Sequence, residues 1–433
     1  MYETIATLEP HQGDSSVTGI RAYSALDLEL LHHYSVTANA SLASSIGLRP
    51  QEGLFSLPSV AFRSEYVLRA ILALAALHLD YLQGPRLSSQ TDYTAIAAGH
   101  INDALPAYRL ALHAVTQDNC TALLICSSLL SIYVLAMSRN GMNPFHRQSE
   151  SMEQDFAHHD FDLVSWLRLI TGGMTAIRPW VNHILTTDLG SCLNSELWTV
   201  QKMPETRVQM QRDEILAHLE RLWKDLNDEG DYDIPRPAYL YLSSTSKAAL
   251  SGTLSSLRKT YLWVTFRTDA EVASTPRVPS PSNHDSPASS DPPRPLLPLF
   301  LTSALESAAS TPCSQRTSSS QTKAIELSAI LSFLHGLTDD FLLLLGQRHP
   351  FALVIMAHYA VVLQQKDVWW LRGLGEDMLA WVVEVLTEQT TAPDASSDDD
   401  AAHRFLRHVE WPRSVFGHVE AGRIDPMLST LDS

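Results

Sequence analysis

The stretch YVLRAILALAALHLDYLQGP, Tyr66 to Pro85, decides the fold. Tyr66, Ala70, Leu74 and Leu77 recur at the spacing of one helical face, and Val67, Ile71 and Leu72 widen that stripe to most of the circumference. A helix apolar on most faces is buried on most faces, so this one belongs inside a larger structure. It runs towards Leu82, and Gly84-Pro85 is a stop signal.

The same period extends outward in both directions. Upstream, Leu26, Leu30 and Tyr34 recur at helical spacing, and residues before about Ala25 read as poorly ordered. Gly47, Pro50, Gly53 and Pro58 mark turns between the two segments. Downstream, Tyr93 to Ala114 reads as a helix in which Pro106 predicts a kink or break. Cys120 to Met137, CTALLICSSLLSIYVLAM, carries no charge, and Asp118 or Asn119 is placed to cap it. Its length just reaches that of a membrane span. Three serines, Thr121 and Tyr133, with no basic anchor before it, favour a helix buried in a bundle and no span.

Ser138 to Gln154 reads as a loop. Helical character resumes over Leu163 to Ile170 and is expected to stop at Gly172-Gly173. Glu214 to Leu226 is amphipathic, with Leu216, Leu219 and Leu226 among charges, and Tyr239 to Phe266 predicts one long helix or a pair. Composition then shifts. Ser274 to Pro298 is rich in Pro and Ser with little to bury, and a second polar tract covers Ser307 to Gln321. The Ser-Pro sites at Ser280 and Ser286 are candidates for phosphorylation. Helical patterns return over Lys323 to Leu345, Phe351 to Leu363 and Trp369 to Leu386. Alternating strand patterns are almost absent. The fold class expected is all-α, a large helical bundle with disordered loops. The segments are a disordered N-terminus over 1–25, a first helical part over 26–272, a Ser/Pro-rich loop over 273–322, a second helical part over 323–390, and an acidic linker and tail over 391–433.

Composition narrows the chemistry. The 433 residues carry a formal net charge of −17, which repels phosphate backbones and argues against non-specific nucleic-acid binding. The four cysteines, Cys120, Cys126, Cys192 and Cys313, form no C-x-x-C pair and fit neither a disulfide framework nor a zinc site. The N-terminus lacks the basic and apolar regions of a secretory signal. No phosphate loop, dinucleotide fingerprint, nucleophile elbow or H-E-x-x-H motif occurs. His32-His33 and His158-His159 lack ligand spacing, and Asp155, Asp160 and Asp162 beside the second pair read as a solvated loop, so no metal is expected. His78 and His358 lie within apolar helices, where a histidine is either a satisfied core residue or a pH sensor. No residue nominates itself as a nucleophile or base, and the chain is not expected to be an enzyme.

Five stretches occur in a familiar order. They are LDLELLHHYSVTANASLAS from Leu26, PSVAFRSEYVLRAILALAALHLDYL from Pro58, the Cys120–Met137 helix after His113-x-x-x-Gln117-x-x-Asn119, HPFALVIMAHYAVVL from His349 with Asp367 to Gly373 behind it, and Trp411-Pro412. Together they resemble the regulatory region of fungal zinc-cluster transcription factors, in the branch that includes sterol-uptake regulators. The resemblance implies a transcriptional regulator of metabolic or secondary-metabolite genes, acting in the nucleus, and held in the cytoplasm when ligand-bound. It implies an all-helical domain that binds a sterol or similar apolar metabolite and a protein partner, either a full-length zinc-cluster factor or a second copy. The family's six-cysteine DNA-reading cluster has no counterpart, since no cysteine precedes Cys120, so direct DNA binding by this chain alone is not expected. No cofactor is implied. Trp369 and Trp370 are candidate pocket walls, His358 and Tyr359 candidate polar handles, and Gly373 with Gly375 is expected to loosen the turn beside them. The competing reading makes all of these plain core.

Overall fold

The computed structural model describes residues 23–39, 42, 60–84, 91–140, 144–145, 163–187, 202–224, 242–264, 325–391 and 405–421. Among them every regular element is helical and there is no strand, as the periodicity predicts. The expected loop over 273–322, His158-His159, Cys192, Cys313, and parts of the 1–25 and 391–433 segments lie outside the described residues.

The N-terminal half is built on α1 (Ala25–His33), α2 (Glu65–Gln83), α3 (Tyr93–His113), α4 (Cys120–Met137) and α5 (Leu163–Ile177). Ser24 caps α1: its hydroxyl accepts from Asp27 N at 3.2 Å, and the Asp27 carboxylate accepts from Ser24 N at 2.8 Å. Asp92 caps α3 by accepting from Ala95 N at 2.9 Å. Pro106 does not break α3, which continues through it to His113. The Pro106 ring lies on the exposed side of the helix. Asn119 stands at the N-cap of α4, yet its side chain turns back, accepting from Thr116 N at 2.8 Å and donating to Ala114 O at 3.0 Å.

Helix α4 is the one helix among the described residues that is long and apolar enough to cross a membrane, and 78% of it is buried against the rest of the protein. Its serines fit that setting because they bond within the helix. Ser127, Ser128 and Ser131 donate to Leu123 O, Leu124 O and Ser127 O at 2.8, 3.0 and 2.9 Å. Helix α5 does not stop at Gly172-Gly173 but runs to Ile177. Gly173 is there for space: a Cβ would fall on the Tyr108 hydroxyl and within 2.6 Å of Ser127 Oγ.

The C-terminal half comprises α6 (Val181–Leu185), α7 (Arg207–Leu219), α8 (Arg221–Lys224), α9 (Ser244–Trp263), α10 (Ile325–His335), α11 (Asp339–Gly346), α12 (Pro350–Gln364), α13 (Leu374–Thr391) and α14 (Glu410–Ala421). The segment from Lys323 is two helices, α10 and α11, bent by 76°. The bend follows from Gly336, whose N–H ends α10, and from Thr338, whose hydroxyl caps α11 by accepting from Phe341 N at 3.3 Å. Pro350 begins α12, where its missing N–H costs nothing, and every residue from Pro350 to Leu363 is buried. Part of the expected tail is core: Phe405 and Val409, four residues apart, are buried together ahead of α14.

Helix α12 is the axis of this half. The Tyr261 hydroxyl of α9 donates to His358 O at 2.7 Å, and the Tyr359 hydroxyl donates to Ile330 O of α10 at 3.0 Å. On its other side lies α13. Gly375 tightens that contact rather than loosening a turn, since a Cβ there would sit 2.7 Å from Ala360 O. One continuous core joins the halves, from Leu30 to Val409. At the seam Ser131 Oγ meets His335 Nε2 at 2.9 Å, and Phe145 lies between Trp166 and Trp381 at centroid distances of 5.8 and 5.7 Å.

Candidate functional site

A cleft of about 660 Å³ opens where the C-terminal end of α2, the first turns of α3, the end of α4 and the turn before α13 converge. Its geometry follows from helix ends. Helix α2 stops at Gly84 and delivers Asp80 and Tyr81; α3 begins at the Asp92 cap and presents Ala95 and Ala98, whose small side chains leave the volume open. Arg139 follows α4 in the short 3-10 turn Ser138–Asn140. Trp369 forms the facing wall and is 7% exposed.

An aromatic cluster backs this cleft. The Tyr81 and Trp369 ring centroids are 6.1 Å apart with planes inclined by 31°, and His78 lies 5.3 Å from Trp369 and 6.4 Å from Tyr81. Behind His78, His33 Nε2 meets His78 Nδ1 at 2.9 Å, so one ring donates and the other accepts while both are neutral. Burial pushes the His78 imidazole down to about 4, and His33 pushes it the same way. Burial also lowers the pKa of His33, with His32 adding to the effect. The rings behind the cleft are therefore uncharged at neutral pH.

The charged residues lining the cleft are Asp80, Asp92 and Arg139, and Arg372 stands beside Tyr81 outside that lining. The Arg139 guanidinium lies over the Tyr81 ring, 4.7 Å from its centroid, and donates from Nη1 to Trp369 O at 3.4 Å. Arg372 donates from Nη1 to the Tyr81 hydroxyl at 3.3 Å. Burial depresses the Arg139 pKa, and the like charge of Arg372 depresses it further, while Tyr81 and Asp80 act against them.

Of the five residues singled out in the sequence, Trp369 lines this cleft. Gly373 sits at φ +83°, a region that glycine enters without strain, and ends the turn that carries Trp369. That turn is not helical, and α13 begins only at Leu374. Trp370 is fully buried. His358 and Tyr359 lie in α12 away from the cleft: His358 Nδ1 pairs with Val354 O at 2.9 Å and its ring stacks on Trp411 at 5.5 Å, while Tyr359 stacks on Phe333 at 4.2 Å. Sequence reading missed Tyr81, Arg139 and Arg372. The one signal for Arg139 is that it is the first charge after the uncharged run that ends at Ser138.

The Ser131–His335 contact has the atoms of a nucleophile and base, but Ser131 is 0% exposed, so no substrate reaches it. Cys120 and Cys126 are buried free thiols, and burial pushes the Cys126 thiol pKa far up, which makes it inert. Among the described residues no group of three or more His, Cys, Asp or Glu could hold a metal ion.

The chain is similar to a fungal transcription factor. Over 168 residues it is 26% identical to the Zn(2)-C6 fungal-type transcription factor afumD of Aspergillus fumigatus (strain CBS 144.89 / FGSC A1163 / CEA10). That stretch is 39% of this chain and 39% of the other, so the similarity spans about two-fifths of the relative's length. No family model matches the chain.

Proposed function

We propose that this chain is a transcription regulator of the fungal zinc-cluster kind, its helical bundle serving as the regulatory region. The observation that carries this reading is the similarity to a Zn(2)-C6 factor over 168 residues. Its all-helical core accords with it. The net charge of −17 opposes non-specific DNA contact by this chain, so in this reading a full-length zinc-cluster partner supplies that contact. Its place of action is the nucleus, and its targets are metabolic genes. The test is transcript profiling after deletion, with chromatin immunoprecipitation of a tagged chain. A set of transcripts should change together, and their promoters should be enriched. A deletion strain with an unchanged transcriptome would count decisively against regulation.

An apolar effector is the second reading. A sterol comes from the resemblance, and the apolar face of Trp369 with Leu77 and the alanines of α3 supports it. Asp80 and Arg139 in the same cleft weigh against it, because a sterol would strip water from both charges and has a single hydroxyl to offer in return. Specific sterol binding should raise the melting temperature, increasingly so as the ratio of ligand concentration to Kd rises. Failure of ergosterol to do so removes this reading and leaves the regulatory one standing.

A further inference from the structure

Helix α1 is held onto α2 and α3 by histidine contacts of opposite kinds at its two ends. Near its start, His100 Nε2 of α3 lies 3.1 Å from Asp27 Oδ1, an ion pair whenever the ring is charged. At its end, His33 Nε2 meets His78 Nδ1 of α2 at 2.9 Å, a hydrogen bond in which one ring donates and the other accepts. One added proton keeps that bond but leaves a cation in a half-buried site, and a second removes the acceptor. Directly after His33 the winding changes. Tyr34–Ala38 is a π-turn closed by the Asn39 N–H on Tyr34 O, a less regular ladder than the α-helix it extends. Leu30, Tyr34 and Ala38, which α1 and this turn contribute to the core, are 0% exposed.

The groups around the His33–His78 pair oppose a proton on it. Burial acts first on both rings, His32 repels a charge on His33, and His33 repels one on His78. Tyr81 of α2 and Trp369 of the turn before α13 flank His78 at centroid distances of 6.4 and 5.3 Å, and Arg139 and Arg372 both contact Tyr81. Asp80 of α2 and Asp92 at the start of α3 line the cleft with Arg139, and Asp92 is engaged as the α3 cap. Both rings therefore titrate lower when packed than when free. The hold at this end is full above about pH 6.5, where a free imidazole is neutral, and weakens as pH falls below it. At the other end the sign reverses, because acid that charges His100 strengthens its pair with Asp27.

We propose that α1 with its π-turn is a proton-released strap, hinged at Asp27–His100 and let go at His33–His78. Release uncovers the α2 surface on which α1 packs and takes His33 away from the ring that backs the cleft wall. The inference does not depend on the transcriptional reading. The test is amide hydrogen exchange on the purified full chain at about pH 7.5 and about pH 5.5, each rate corrected for its intrinsic value. Protection over Leu30 to Ala38 should fall by at least about tenfold between the two, the proton uptake of one freed imidazole, while α12 stays unexchanged over the same labelling time. H33Q/H78Q, whose two amides hydrogen-bond without titrating, should show equal protection at both pH values. D27N removes the pair that opposes release and should deepen the fall. The wild-type comparison needs no variant to fold. Unchanged protection over Leu30 to Ala38, exchange of α12 at the same rate, or the same fall in H33Q/H78Q would overturn the strap, and an unaltered fall in D27N would overturn the hinge.

Discussion

Adjacent glycines in α5 differ in what surrounds them, and so in what they tolerate. Gly172 is exposed, and a methyl added there would meet nothing within 4 Å, whereas the same methyl at Gly173 strikes the Tyr108–Ser127 pair, itself hydrogen-bonded at 2.6 Å. G172A should raise stability by about 0.5–1 kcal/mol through the helix-propensity gain. G173A should lower it by about 1–3 kcal/mol, the usual cost of overpacking. Urea unfolding of the two variants checks both signs. Histidines set the acid response. His78, His335 and His358 are held neutral, with burial the first cause in each and the ring pKa pushed to about 4; His33, Arg178 and His408 respectively add repulsion. The unfolded chain takes up those protons near pH 6.5, so between about 6.5 and 4 it binds more protons than the folded chain. Stability is therefore full above neutral pH and is lost as pH falls through that window. The melting temperature should be flat from about pH 8 to 7 and drop steadily towards about pH 4, and H78Q should shallow the slope. A flat profile down to about pH 4.5 would show that these rings are not held neutral.

Helix ends and interruptions carry the next level of argument. P106A restores the N–H that α3 lacks at an exposed position and should raise stability by about 1–2 kcal/mol, while T206A, which removes the capping box on α7, should lower it by about 1 kcal/mol. Thermal unfolding of each variant reads the sign. The helices themselves were legible in the sequence where an apolar run was long: α2, α4 and α12 stand at the places their periodicity marks. Errors gathered at glycines and prolines, because a local rule reads Gly172-Gly173 as a stop, while the reason for Gly173 lies on α3 and α4. Likewise, Gly375 answers to Ala360 on α12 and not to its own turn. Of the cleft, Trp369 was legible as a candidate pocket wall, although the sequence placed it within a helical run over Trp369 to Leu386 and it stands in the turn before that helix. Its charged partners were not, since Arg372 meets Tyr81 across 291 positions and Arg139 meets Trp369 across 230. No periodicity encodes a contact of that kind.

The molecule as a whole has one core, running from Leu30 to Val409, and the seam between its halves is buried. L129A in α4 and I355A in α12 both open cavities at positions with 0% exposure, and each should cost about 2–5 kcal/mol. Because the core is shared, both should shift the same single unfolding transition. Two separate transitions, each answering to one variant, would show that the halves fold independently. Net charge sets the behaviour towards nucleic acid at this scale. At −17 the purified chain should leave a random duplex unshifted in a low-salt mobility assay, where a basic domain would bind.

Helix α12 has no face of its own to offer water, and it lies late in the chain. A ribosome passes Met137, the end of α4, long before it reaches Gln364. At the usual 5–20 residues per second that gap lasts roughly 10 to 45 seconds. Throughout it the apolar sides of the earlier helices wait without the segment that completes their core. The newborn chain is thus committed to a long period of stickiness on each round of translation, and its yield in the cell should depend on chaperone supply more than its finished stability would suggest.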